Sequence, residues 1–475
     1  MSFGGPAGQI ALLHRELVDQ RRWLSEGRYL HALNYCMLLP GPEAMQLATY
    51  LGWLMHGVPG GLIAGGLFVL PSVFVLTGLA AIYAAWGHLP LLVSVFATLK
   101  PAVLAIVVMA AWRIGRRTLR TPLLIALAVI GFLALTLFKL PYPLLVISAG
   151  VVGLITARWR PGLLVLGRSH GAPSAHSDDR PQAALHDDHS DTPEHARFSR
   201  QRLALTLLVW AVALLVPLAL LVAWGGWNGT LALMSRFFTR VALLSFGGAY
   251  AVLPYVAQGA VEHFGWLSAS QMLDGLALGE TTPGPLIMVV AFVGFMGGWN
   301  QSLAAGAGPW PLALAALLVT VWFTFLPSFG FILAGAPLVE ASRGDLRFGG
   351  PLSAITAVVV GVIVSLALFF ARPVLWPAGA FNPWAALVVS LLGLFLLIQS
   401  QLLRLQFSGD ALLVWSGQQV LRRFPYSEWL GWKLFWGPLP VLFYFREQRS
   451  IHLLPVLFDA TALREQLNSH VSVQP

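Results

Sequence analysis

The chain has 475 residues, of which 57% are hydrophobic and only 10% charged, with 18 tryptophans and a mean hydropathy of +0.74. Soluble domains carry about 25% charged residues, so a water-soluble fold is excluded. The formal net charge of +9 comes mostly from arginines in polar stretches, which argues against nucleic-acid binding and bears instead on orientation in a bilayer. Cys36, the one cysteine, excludes an intramolecular disulfide. No metal-ligand spacing, nucleotide-binding glycine pattern or nucleophile with a base stands out, so no metal, no cofactor and no enzyme activity are expected.

In chain order, the sequence opens on Ser2-Phe3-Gly4-Gly5 with no basic stretch and apolar core, so no cleavable signal peptide is expected. Segment 29–57 is apolar but broken at its centre by Pro40-Gly41-Pro42. Runs long enough to cross a bilayer, about 20 residues, follow near 62–86, 89–111, 121–139 and 141–157. From Arg158 to Arg202 the chain turns polar and reads as a linker. Its His170, His176, His186, His189 and His195 with Asp187 and Asp188 suggest a metal sensor, but a solvated low-complexity segment explains the same composition with fewer assumptions. A span near 203–224 comes next, then a hairpin over 231–257 that turns at Ser245-Phe246-Gly247-Gly248. Segment 272–300 is broken at Pro283-Gly284-Pro285, and spans near 310–335, 351–371 and 383–404 complete the apolar part. The tail mixes Trp429, Trp432 and Trp436 with Arg422, Arg423 and Lys433, and its short apolar piece from Leu434 to Phe445 holds two prolines. An interfacial segment fits it better than another span.

The SFGG and PGP motifs recur at one ungapped offset of 243 residues, and so do Trp23-Leu24-Ser25 and Trp266-Leu267-Ser268. The chain is therefore a diverged duplication, as transporters built from two halves are. Arg15, Arg21, Arg22 and Arg28 crowd the first loop of one half, whereas the matching loop from Gln258 to Gln271 has no lysine or arginine. Arg113, Arg116, Arg117 and Arg120 likewise face a counterpart region with one arginine. The positive-inside rule then puts equivalent loops on opposite sides, which makes the repeats inverted. The expected fold is an all-α polytopic membrane protein with two inverted-topology repeats, broken or re-entrant hairpins and about ten membrane segments. Its parts would be an N-terminal repeat (1–157), a cytoplasmic linker (158–202), a C-terminal repeat (203–404) and a tail (405–475).

Non-helical backbone at bilayer depth is tolerated only inside protein or along a wet cavity. Ser2, Phe3, Gly4 and Gly5, Pro40, Gly41 and Pro42, Ser245, Phe246, Gly247 and Gly248, and Pro283, Gly284 and Pro285 therefore form four tips able to meet near the midplane. A half-helix starting at Pro42 or Pro285 would aim free N–H groups at an anion. Gln46 and Thr282 are polar neighbours able to hydrogen-bond a tetrahedral oxyanion, and Lys100, Arg236 and Arg240 are candidate cationic contacts. Glu43 and Glu280, beside the two PGP motifs, are candidate proton carriers.

At SFGGPAGQI, RRWLS and LLPGP in one half, and SFGGAYAVLP, GWLS and GETTPGPLI in the other, the chain resembles the long, two-domain chromate ion transporter family over most of residues 1 to 400. The resemblance implies a secondary transporter that exports chromate, with sulfate as a structural mimic, across the bacterial inner membrane on an ion gradient. Its partners would be a small inorganic anion, the lipid bilayer and, as an option, a second copy of the chain. Two departures stand out. Members generally carry an apolar arm before the first SFGG, where here Met1 adjoins the motif, and the tail differs from the usual apolar ending. Uptake of sulfate or another anion is the alternative within transport; a membrane enzyme or an assembly subunit is the alternative outside it.

Overall fold

The computed structural model describes residues 5–159, 193–246, 249–341, 349–402, 404–408, 410–416, 419–435, 442–447 and 451–455. Fourteen α-helices run through them: α1 Gly5–His14, α2 Glu26–Leu38, α3 Glu43–Trp86, α4 Pro90–Thr118, α5 Pro122–Thr136, α6 Tyr142–Trp159, α7 Arg200–Gly225, α8 Thr230–Leu244, α9 Ala249–Ala257, α10 Ala269–Thr281, α11 Val289–Ala304, α12 Pro309–Ala341, α13 Gly349–Leu375 and α14 Pro383–Leu402. Seven of the described helices are long and apolar enough to cross a membrane. None of the residues of α7 is buried, and Leu205, Leu208, Leu220 and Trp224 all point outward. Such a surface is stable only against lipid or another protein. The chain is an all-α multi-pass membrane protein through α14.

The 243-residue offset reappears in backbone detail. The π-helical turns Arg15–Gln20 and Gln258–His263 occupy equivalent positions. After the first, Trp23 N–H donates to the Leu17 carbonyl at 2.7 Å; after the second, Trp266 N–H donates to the Ala260 carbonyl at 2.7 Å. Next come α2 and α10, 13 residues each, capped by the hydroxyls of Ser25 and Ser268. A serine oxygen there satisfies an N–H that the helix itself leaves open.

Each PGP reverses the chain. If α2 and the start of α3 were collinear, Arg28 and Tyr50 would lie about 30 Å apart at 1.5 Å per residue. Both instead bond one carboxylate, that of Glu340, so the two helices form a hairpin. Across the second break the Asn300 amide donates to the Gln271 side chain at 3.1 Å, which closes α10 and α11 in the same way. After the first hairpin α3 turns again at His56 and Gly57, where φ of Gly57 is 66°. Gly52 and Gly60 then face each other so closely that a Cβ on either would overlap the other's carbonyl oxygen. Gly298 on α11 meets Leu312 and Ala313 on α12 with similar intimacy. Small residues at such contacts let helices approach where no hydrophobic force drives them together in lipid.

The chain divides after Ala386 into two compact units. In the second, beyond α14, β1 (Arg404–Phe407), β2 (Ala411–Ser416) and β3 (Gln419–Pro425) form one antiparallel meander, and β4 (Trp429–Phe435), β5 (Leu442–Glu447) and β6 (Ile451–Pro455) form another. The apolar piece from Leu434 to Phe445 is divided between β4 and β5, with 436–441 outside the described residues.

Candidate functional site

Ser2, Phe3, Gly4, Gly247 and Gly248 lie outside the described residues, while Gly5 begins α1. The other tips meet reciprocally across the two halves. Gly41 N–H donates to the Ser245 carbonyl at 3.1 Å, so the first PGP touches the second SFGG. The Gln9 amide, four residues beyond the first SFGG, donates to the Gly284 carbonyl at 2.7 Å, so the second PGP is held by the first half. Gly41 has φ 131° and Gly284 φ 126°, backbone that L-residues with a Cβ rarely adopt. These two glycines set the turns on which the junction rests.

A serine from the opposite half stands against each glycine. The Ser72 hydroxyl, on α3, donates to the Pro283 carbonyl at 2.6 Å, and a Cβ on Gly284 would overlap it. A Cβ on Gly41 would overlap Ser328, on α12, and the Gln46 amide. Gln46 donates to the Pro40 carbonyl at 2.7 Å. These carbonyls can only accept, so the amide orientations of Gln9 and Gln46 follow from their bonds. Their Oε1 atoms and the Ser328 hydroxyl are buried and have no hydrogen-bond partner among the described residues. Buried polar groups are rarely left so, because each costs about 1–3 kcal/mol unmet. Among the described residues the junction is polar, buried and under-satisfied, which suits a ligand that both donates and accepts.

Other sequence candidates take different places. Pro42 and Pro285 are extended, with ψ of 104° and 133°, and cap the following turns; α3 starts at Glu43, and a short 3-10 turn, Leu286–Met288, precedes α11. The N–H groups of the first turn of α3 still precede its first intrahelical bond, so the partial positive charge at the tip stands. The Ser245 hydroxyl donates to the Ala242 carbonyl at 2.8 Å, and that of Thr282 to the Gly279 carbonyl at 3.2 Å. Phe246 follows as a turn residue, its N–H donating to the Leu244 carbonyl. Glu43, half-buried next to Pro42, has no hydrogen-bond or ion-pair partner among the described residues. Glu280 accepts a 2.5 Å bond from Tyr250. Arg236 stacks on Trp227 at 4.0 Å and donates to its carbonyl, and Arg240 is exposed. Of the linker histidines, His195 is described and bonds the carbonyls of Trp53 and Leu54; the rest lie outside the described residues.

Two buried ionic clusters brace the hairpins, each against the opposite half. Arg28 on α2 donates to Glu340 on α12 at 2.7 Å, and the Tyr50 hydroxyl donates to the same carboxylate. Arg28 is therefore an interior residue and not the loop charge that its place in the sequence suggested. Asp274 on α10 accepts from Tyr83 on α3 at 2.8 Å and lies 3.4 Å from the ammonium of Lys100 on α4. Lys100 also donates to Ser270 at 2.6 Å.

Sequence reading missed Ser72, Ser328, Gln9 and both clusters. A signal for the serines exists: Leu70-Pro71-Ser72 recurs as Leu326-Pro327-Ser328. Its offset is 256 residues, so an ungapped comparison at 243 passes over it.

A model of the chromate transporter family matches residues 1–154, and a family described as a protein of unknown function, DUF3119, matches residues 353–472. The chromate transport protein of Pseudomonas aeruginosa is 32% identical over 365 residues, covering 76% of each chain. A probable chromate transport protein of Synechococcus elongatus is 27% identical over 84% of this chain and 86% of its own, and the chromate transport protein of Cupriavidus metallidurans 26% identical over 78% and 80%. No solved structure matches the chain significantly. With duplicated PGP tips interlocked across its two halves and a relative of this identity along three quarters of its length, the chain belongs to the chromate transporter family.

Proposed function

We propose that this protein is a secondary transporter that exports chromate from the cytoplasm across the bacterial inner membrane and so confers chromate resistance. The observation that carries the reading is the reciprocal junction: Gly41 on Ser245, Gln9 on Gly284, with the Ser328 hydroxyl, unmet among the described residues, beside Gly41. Backbone turns, the N–H groups of a helix N-terminus and the Ser328 hydroxyl can donate to a tetrahedral oxyanion once it leaves water, while the Oε1 atoms of Gln9 and Gln46, which only accept, match the O–H of its singly protonated form. Each contact joins one half to the other, so moving the halves apart would open the junction to one side at a time. That is how inverted repeats give alternating access. The linker lies on the cytoplasmic side in this reading, and Glu43, half-buried without a hydrogen-bond or ion-pair partner among the described residues, takes up a proton of its own as the anion enters.

The test is chromate accumulation in sensitive bacterial cells expressing the chain, the Gly284→Leu variant or an empty vector. Export predicts lower accumulation with the chain alone and none of that effect with the variant at equal membrane abundance. Higher accumulation with the chain would reverse the direction and bring uptake forward. Equal accumulation in all three, with the protein in the membrane, would remove chromate as the substrate.

A further inference from the structure

We infer that Asp274, paired with Lys100, is the proton-binding site that couples the anion junction to a proton gradient. The inference rests on the transport reading for its consequence, and on the two ionic clusters for its location. Each cluster joins one hairpin to the opposite half and has a carboxylate, a cation and a tyrosine, yet they differ in what they allow. Arg28 and Glu340 are 3% and 1% exposed in their side chains, and an arginine keeps its charge under any physiological condition. That cluster is closed to water and fixed. In the other, Lys100 is 22% exposed, and Asp274 Oδ1 faces the ammonium at 3.4 Å without the alignment of a hydrogen bond. A buried membrane carboxylate with one loosely held oxygen has a place for a proton.

A cavity comes within one residue of the Lys100 contact on α10. Of about 600 Å³, it is lined by Lys139, Gln258, Glu262, Ser365 and Arg372 and reaches Ala269, the first residue of α10, next to the Ser270 that Lys100 holds. Lys139 takes φ 49°, a left-handed conformation uncommon outside glycine. Of the elements packed against α10, α4 brings Lys100 and α3 brings Tyr83 to Asp274; α11 carries no ionisable side chain, and that of α13, Arg372, is in the cavity wall. Lys100 and Tyr83 therefore set the behaviour of this carboxyl.

The step is a proton transfer alone. A hydronium ion from the water on the cavity's side loses one O–H bond and leaves as water while Asp274 gains an O–H bond, the carboxyl's charge passes from −1 to 0, and Lys100 keeps its own protons and its bond to Ser270. The ionic contact between α10 and α4 is then lost. The second PGP lies nine residues further along, about 13 Å on a straight helix, so a shift of α10 moves Gly284 against Gln9 and Ser72. Proton and anion then change each other's affinity, as linkage requires.

Two readouts test this on the full chain in lipid vesicles. Infrared titration should show a protonated-carboxyl component that forms on acidification in the wild type, is missing from Asp274→Asn and is kept in Glu43→Gln and Glu340→Gln; carboxyl bands identical in the wild type and Asp274→Asn overturn the assignment. With chromate, an imposed pH gradient should drive accumulation in the wild type and not in Asp274→Asn, while exchange of chromate for chromate continues in both. Gradient-driven accumulation by Asp274→Asn would also overturn it. Should Asp274→Asn fail to fold with Lys100 left unpaired, Asp274→Asn with Lys100→Gln removes both charges and is read in the same way. A wild type that moves no chromate sinks the transport reading, whereas the infrared band still decides the proton site.

Discussion

The two hairpins share their backbone and differ in what anchors them. Both start from a serine-capped helix of 13 residues and turn at a glycine with φ near 130°. At the base, however, the first has an arginine and the second an aspartate, each meeting the opposite charge from the other half. Duplication thus kept the geometry that forms the junction and let the ionic anchors diverge. A motif whose job is backbone shape leaves little freedom to change, whereas an ion pair works with either sign on either partner. In the interlocked junction each glycine is held by a group from the other repeat.

The most severe way to break the comparison is at the shared element. Gly41→Leu and Gly284→Leu each place a side chain where φ disfavours it and where Ser328 or Ser72 already stands. Both should abolish chromate export, and to the same degree, while the protein still inserts; cellular accumulation beside membrane abundance measures this. Loss of the folded protein in both would assign the tips to packing. Next comes the fixed anchor. Glu340→Gln leaves Arg28 buried without its counter-ion, and breaking such a pair costs about 3–5 kcal/mol, read as a lower thermal midpoint in detergent. Arg28→Leu with Glu340→Leu should recover most of that loss. Asp274→Asn should cost less, because Lys100 can turn to water.

Much of this was legible in the sequence. Long apolar runs located the spanning helices, and the paired PGP located both tips, because glycine between prolines has few uses other than a forced reversal. What escaped were contacts between distant positions. Arg28 lies 312 residues from Glu340, and beside Arg21 and Arg22 it reads as one more loop charge. Lys100 and Asp274 fall in separate apolar runs with nothing local to link them. Ser72 and Ser328 hid behind a change of offset, since one half has a longer helical hairpin after PGP than the other. Helix-breaking chemistry is local and can be read along a chain, whereas ion pairing across a fold cannot.

The serines offer a finer comparison. Ser72 has a bond to lose and Ser328 has none among the described residues. Ser72→Ala should lower stability by about 1 kcal/mol with a modest effect on transport. Ser328→Ala should leave stability unchanged and raise the KM for chromate about tenfold, the worth of one hydrogen bond to a charged ligand. Equal effects of the two on stability, with KM unmoved, would make Ser328 a packing residue.

The smallest effect is expected at Arg236, and its test sharpens where the anion's contacts end. Its guanidinium lies over the Trp227 ring and its Nη2 donates to the Trp227 carbonyl, so it ties the first turns of α8 to the loop before them. A cation–π contact at a half-exposed site is worth about 0.5–1 kcal/mol. Arg236→Gln should therefore move the thermal midpoint slightly and leave KM where it is. If KM rises as far as in Ser328→Ala, the arginine attracts the anion despite its bond to Trp227, and the path to the junction passes along α8.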